Sequence, residues 1–157
     1  MVGAARPREA VPDDARRRPP SSCRRAGALA AQHTGRVGAA EVLAAAREGV
    51  VRLSPHEAAA AVARGALLVD TRTDEQRREQ GELPGTLVID RTVLEWRLDP
   101  AGAWRIPEAT GTDVEVVVLC RHGFSSSLAA ASLRAVGLHR ATDVVGGVQA
   151  WLEAGLP

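Results

Sequence analysis

Residues 116–128, V-V-V-L-C-R-H-G-F-S-S-S-L, constrain the fold of this chain more than any other segment. Four consecutive apolar residues, 116–119, read as a buried strand. A helix is predicted over 125–136, with Leu128, Ala129, Ser132, Leu133 and Val136 along one face. Cys120 stands between the two, at the start of a short polar loop with a single glycine. Backbone N–H groups in a strand–loop–helix turn converge on one point, and the helix N-terminus adds roughly half a positive charge, so a thiolate at Cys120 is favoured. A cysteine at a strand end can equally serve as a small buried hydrophobe. The run Arg121, His122, Gly123, Ser125, Ser126, Ser127 weighs against that plainer role. Packing has no use for it, whereas an anion cradle needs a glycine, spare donors and positive charge.

Strands and helices alternate through 54–157. Ser54-Pro55-His56-Glu57 has the form of a helix start, with Ser54 as N-cap, Pro55 in the first turn and Glu57 completing a capping box; the helix should stop at Gly65. A strand over 67–69, a charged helix over 73–80, a turn at 83–85 and a strand over 86–89 follow. Then come a short helix over 91–98, an irregular connection over 99–113, the central strand with its loop and helix, and a strand over 142–145. Val148, Trp151 and Leu152, spaced i, i+3, i+4, pack a last helix that ends before Gly155. This alternation predicts an α/β fold, a mostly parallel central sheet with helices on both faces. Ligands in such sheets bind beyond the carboxyl ends of the strands, which is where Cys120 falls. Trp96, Trp104 and Trp151 read as packing residues and Glu82 as exposed.

A chain of 157 residues accommodates one domain of ordinary size and a tail. Residues 1–36 carry eight arginines against Glu9, Asp13 and Asp14, a net +5; residues 37–157 carry twelve against sixteen acids, a net −4. With Pro7, Pro12, Pro19 and Pro20 and few large apolar residues, 1–36 is expected to be a disordered Arg/Pro/Ala-rich tail. Residues 37–53 are expected to form an N-terminal helix, over 37–48, and a connection; the domain proper spans 54–157. The tail lacks the interleaved aromatics of a nucleic-acid binder, so no nucleic-acid partner is expected. Arg24-Arg25 precedes an apolar stretch too short for an export signal, and no run approaches the roughly eighteen apolar residues of a membrane span. Cys23 and Cys120 are the only cysteines, which argues against a disulfide framework and for a reducing cytoplasm. Cys23 reads as incidental. All twenty basic residues are arginine and tyrosine is absent, a bias expected of a GC-rich bacterial genome.

Four motifs in order resemble the rhodanese-like sulfurtransferases: the loop C-R-H-G-F-S-S-S from Cys120; L-L-V-D-T-R ending at Arg72; G-E-L-P-G-T from Gly81, with Glu82 where the family has histidine; and V-V-G-G-V-Q-A-W-L-E-A-G-L-P from Val144. The resemblance spans about two-thirds of the chain and implies the rhodanese-like three-layer α/β fold. It also implies a mechanism: Cys120 as nucleophile takes a sulfane sulfur from a small anionic donor such as thiosulfate and passes it, as a persulfide, to a thiol or to cyanide. Backbone N–H groups between Arg121 and Ser126 would hold the anionic sulfur, with Gly123 permitting the turn. Arg121, His122, Gly123, Phe124, Ser125 and Ser126 are thus the candidate substrate-binding residues. Arg121 and His122 either attract the donor or point into solvent; Ser125 and Ser126 either donate to sulfur or cap the helix. Asp70 and Arg72 resemble the family's first-strand pair and are expected to brace the loop. Thiosulfate-using members often carry arginine or lysine where this chain has Phe124, Ser125 and Ser126, while other single-domain members share a Cys-x-His-Gly-x-Ser-Ser loop. No cofactor is implied, and Cys120 with His122 cannot form a metal site alone. A phosphatase family on the same fold has an arginine six positions after its cysteine; here that position is Ser126, which argues against phosphoryl transfer. The alternative is a non-catalytic rhodanese-like regulatory or partner-binding module. Oligomeric state is open.

Overall fold

The computed structural model describes residues 37–157, so the expectations for the tail and for Cys23 lie outside the described residues. Five strands, β1 (Arg52–Leu53), β2 (Leu67–Asp70), β3 (Leu87–Val88), β4 (Val116–Leu119) and β5 (Ala141–Val144), form one sheet in the order β1-β5-β4-β2-β3. Every pairing is parallel, with Val69 opposite Val118 and Val118 opposite Asp143.

The apolar run of β4 is buried on both sides because successive side chains point to opposite faces of a sheet covered twice. Val116 and Val118 enter a core with Val69, Leu94, Leu98, Ala129 and Leu133, beneath α4 (Leu94–Leu98) and α5 (Ser125–Ala135). Val117 and Leu119 enter a second core with Leu68, Ala58, Ala61, Val148 and Trp151, beneath α2 (Pro55–Ala63) and α6 (Gly147–Glu153). The three-layer α/β arrangement predicted from the alternation is the one observed. Local signals hold up in α2: Ser54 Oγ accepts the N–H of Glu57 at 3.3 Å, and the Glu57 carboxylate accepts the N–H of Ser54 at 2.8 Å. Donation to that carboxylate from the Ser54 hydroxyl, at 2.7 Å, and from the Ser54 N–H keeps Glu57 below the ordinary glutamate value.

Three expectations need correction. The connection expected before residue 54 contains β1, which pairs with β5; two residues are too few to carry a period-two signal. The face of α5 turned to the core carries Ser126, Ser127, Ala129, Ala130 and Leu133, whereas Leu128 and Val136 are largely exposed, 37% and 40%. Small residues let this helix lie close to the sheet and to α1 (Ala39–Glu48), which packs across it. Of the three tryptophans only Trp151 is core, its Nε1–H donating to the carbonyl of Pro157 at 2.8 Å; Trp96 and Trp104 are exposed on α4 and on the irregular connection.

The topology also fixes where a site can form. From β4 the chain crosses to β5 on one side, and from β2 it crosses to β3 on the other, so the connections diverge between β2 and β4. A crevice opens there, beyond the strands' carboxyl ends. Its walls are the residues that follow Asp70 and the residues that follow Leu119.

Candidate active site

Cys120 leaves β4 into that crevice and α3 (Asp74–Gln80) closes one side. The thiol is 6% exposed, at the floor of a cavity of about 320 Å³ walled by Thr71, Thr73, Gln76, Arg91, Arg121, His122, Phe124 and Ser125. The loop curls around the sulfur. Sγ accepts the N–H of Gly123 at 3.2 Å and of Ser126 at 3.3 Å, and Ser126 Oγ lies 3.3 Å away. Sulfur thereby takes an N–H at the start of α5 that would otherwise lack a partner, and the helix dipole favours negative charge there. This explains why no serine caps α5: Phe124 is its N-cap residue without a side-chain cap, Ser125 is exposed, and the Ser126 hydroxyl turns to the sulfur.

Two glycines make the curl possible. Gly123 has φ +77°, and a Cβ there would stand 2.8 Å from the nitrogen of Gly146. Gly147 has φ +62°, and a Cβ there would stand 2.2 Å from the carbonyl oxygen of Cys120. That closeness lets the first turn of α6 hold the loop: the N–H of Val148 donates to Cys120 O at 2.9 Å and the N–H of Gln149 to Arg121 O at 3.1 Å.

Behind the loop lies a buried polar network. Asp143 of β5 is fully buried and accepts Nε and a terminal nitrogen of Arg52 at 2.9 and 3.0 Å, the Ser127 hydroxyl at 2.8 Å and the Ser126 hydroxyl at 3.2 Å. The carbonyl of Gly123 accepts Arg47 at 2.8 Å and Arg52 at 3.1 Å; Ser127 Oγ, whose one proton goes to the closer Asp143, lies 3.1 Å from it. Ser126 has one hydroxyl proton for two acceptors. Given to Asp143, it leaves Oγ free to accept an S–H; given to Sγ, it stabilises a thiolate while Arg52 and Ser127 keep Asp143 satisfied.

The remaining predicted residues divide. Arg121 pairs with Glu79 at 2.8 Å, half-exposed, with its Nε enclosed and without an acceptor among the described residues; His122 and Phe124 are exposed at the cavity mouth. Asp70 and Arg72 do not brace the loop. They form a buried ion pair at 2.8 Å, and the same guanidinium nitrogen, Nη2, also donates to Gly81 O at 3.0 Å, fastening the end of β2 to the end of α3. Thr71 between them makes the link to β4, donating its N–H and its hydroxyl to Leu119 O at 2.9 and 2.7 Å. Sequence reasoning missed Thr71, Asp143, Arg47, Arg52 and Gly147. Asp143 had a signal, a carboxylate inside a predicted strand; the two arginines had none.

A larger groove of about 600 Å³ between α4 and α5 shares Arg91 with the cavity but offers no nucleophile. Its Glu95 is pushed up by burial, yet donation from Ser132 and from backbone N–H and the charge of Arg91 prevail and hold it below the ordinary glutamate value. Among the described residues no cluster of three or more His, Cys, Asp or Glu could hold a metal, and no helix is long and apolar enough to cross a membrane.

Comparison with known proteins agrees with this architecture. The chain is 36% identical over 100 residues to a thiosulfate sulfurtransferase GlpE of Pseudomonas syringae pv. syringae, covering 64% of this chain and 85% of the relative. Among solved structures it resembles a protein of unknown function from Rhodopseudomonas palustris, described as a possible tyrosine phosphatase, with 29% identity and TM-score 0.70 over 79% of this chain and 96% of the other. It also resembles the human single-domain sulfurtransferase TSTD1, with 30% identity and TM-score 0.55 over 65% of this chain and 95% of the other. Six positions after Cys120, where phosphate would need a guanidinium fork, stands the buried Ser126. Residues 54–154 match the rhodanese-like domain, and the chain belongs to that family.

Proposed function

We propose that this sulfurtransferase carries its sulfur as a persulfide on Cys120. The thiolate attacks the outer sulfur of an anionic donor; with thiosulfate, the S–S bond to the sulfonate breaks, its electron pair leaves with sulfite, and Cys120–S–S⁻ remains. A second nucleophile then takes the outer sulfur and returns the thiolate, giving thiocyanate when that nucleophile is cyanide. Charge balances in both steps, and no metal or redox cofactor enters.

The observation that carries this reading is the pair of N–H groups, from Gly123 and Ser126, aimed at Sγ. Preorganised donors stabilise negative sulfur before and after the transfer without reorganisation. The cavity beside the thiol, about 320 Å³, has room for a small anionic donor, and Thr73, Gln76 and Ser125 offer further donors to it. Donor and acceptor are small anions and thiols reached from the mouth at His122 and Phe124, and the setting is a reducing cytoplasm in which Cys120 stays free.

The test is intact mass after incubation with thiosulfate, followed by cyanide, for the parent and for Cys120→Ser. The parent should gain about one sulfur atom, lose it to cyanide with formation of thiocyanate, and the variant should do neither. Equal thiocyanate from both proteins would reject transfer through Cys120.

A further inference from the structure

Residues 54–154 match the family, yet the two guanidinium groups that donate to the Gly123 carbonyl come from upstream of that span: Arg47 at the end of α1 and Arg52 in β1. Their charges are not equivalent. Arg52 is matched by the buried Asp143 carboxylate at 2.9 Å. Arg47 has no carboxylate within ion-pair distance among the described residues; its Nε donates to Ser127 Oγ at 3.1 Å, a terminal nitrogen to Gly123 O at 2.8 Å, and its guanidinium carbon lies 5.8 Å from the centre of the Phe124 ring. Among the described residues, each hydrogen bond of its side chain is to the Cys120 loop or to the first turn of α5.

A trans peptide sets its N–H antiparallel to its C=O. The Gly123–Phe124 unit is trans, and its carbonyl is drawn toward the two arginines, so the N–H of Phe124 faces the opposite way. Neighbouring N–H groups, of Gly123 and Ser126, already reach Sγ. We infer that Arg47 is a positioning residue for the sulfur-transfer loop: by holding Gly123 O, and as the guanidinium bonded to this loop that no carboxylate offsets among the described residues, it keeps the N–H groups of Gly123 and Ser126 directed at the sulfur of Cys120. This inference rests on the persulfide reading for its catalytic consequence. Its geometric part concerns only the reactivity of the thiol. Arg47 does not line the cavity, so its loss should change the rate of sulfur capture and not the concentration of donor required.

The experiment compares parent, Arg47→Gln, Arg47→Lys and Arg64→Gln; Arg64 is an exposed arginine remote from the loop, paired with Glu115 at 4.0 Å, and serves as a charge control. Iodoacetamide labelling of Cys120 reads the thiol directly, and steady-state thiosulfate–cyanide kinetics read transfer. Arg47→Gln should slow labelling at neutral pH and lower kcat by about tenfold with KM within about twofold, Arg47→Lys should fall between it and the parent, and Arg64→Gln should match the parent. Added guanidinium ion should restore part of the rate to an Arg47→Ala variant. Unchanged labelling and kcat in a folded Arg47→Gln protein, or a rise in KM alone, overturns the inference. So does a thermal melt showing that rate falls only in step with unfolding. Failure of the parent to acquire sulfur would reject the persulfide reading while the labelling comparison still decides the role of Arg47.

Discussion

Replacing Gly147 by alanine tests whether the first turn of α6 really shapes the sulfur loop. The new Cβ would sit 2.2 Å from Cys120 O, 2.7 Å from Gly123 N and 2.9 Å from His122 N, where ordinary contact begins near 3.4 Å. Backbone on both sides has to separate by about 1 Å, because none of the three atoms belongs to a flexible side chain. A left-handed alanine costs roughly 1–2 kcal/mol, and parting the loop from α6 weakens two hydrogen bonds, Val148 N to Cys120 O and Gln149 N to Arg121 O, at about 1 kcal/mol each. The expected loss is about 3–4 kcal/mol of stability, with a drop in kcat of about a hundredfold from a displacement of this size. Gly155 isolates the conformational part: its φ is +70° and a Cβ there meets nothing within 4 Å, so Gly155→Ala should lose only roughly 1–2 kcal/mol and keep its kcat. Urea unfolding and steady-state kinetics on both variants decide the matter. A Gly147→Ala protein no less stable than Gly155→Ala, with parental kcat, would refute the reasoning.

Two other outcomes follow from the buried and half-buried carboxylates. Asp143→Ala should cost about 3–5 kcal/mol because it leaves the Arg52 guanidinium and two serine hydroxyls without their acceptor, while Arg52→Met with Asp143→Leu should regain much of that stability without regaining sulfur transfer; equal recovery of both in the double variant would show the network to be dispensable scaffolding. Glu95 titrates below the ordinary glutamate value in the folded protein, so its contribution is present above the unfolded value and is lost as pH falls through the depressed folded one; Ser132→Ala should move its titration upward in a carboxyl-detected NMR experiment and make the fall of melting temperature on acidification smaller. An unmoved titration would reject Ser132 as the donor.

The β4–loop–α5 unit was legible because everything it needs is contiguous: a strand buried on both faces, a thiol at its end, a glycine and a run of hydroxyls. Helix α2 was legible for the same reason, its capping box lying within four consecutive residues. The core face of α5 was misread because a hydrophobic period weights large side chains, while close approach of a helix to a sheet selects small ones such as Ala129 and Ala130. Asp70 and Arg72 were correctly seen as a pair, but sequence spacing reports who can touch whom at two residues' distance and not which third group the pair fastens. The arginine bonds of the network behind the loop span 71 to 91 positions, Arg52 to Gly123 and Arg52 to Asp143, and no local pattern reports such contacts. Their existence follows from parallel topology, which sets β1 beside β5 and so Arg52 beside Asp143.

That network alters how the charge at the site should be understood. Counted from the sequence, Arg121 and His122 are the positive or potentially positive groups of the loop, there to attract an anionic donor or to point into solvent. In the fold, Arg121 is paired with Glu79 and Arg91 with Glu95, each at 2.8 Å, so the formal charges at the mouth cancel pairwise and solvent screens what remains. The uncancelled guanidinium, Arg47, stands behind the loop, and between it and the cavity lie the peptide units whose N–H groups meet the sulfur. On the proposed mechanism the terminal sulfur is therefore recognised through backbone donors, and those donors are indifferent to the group on its far side. A sulfonate and a thiolate leaving group place the same anionic sulfur in the same cup, so the choice between donors falls to the walls at Thr71, Gln76 and Phe124 and not to charge at the entrance.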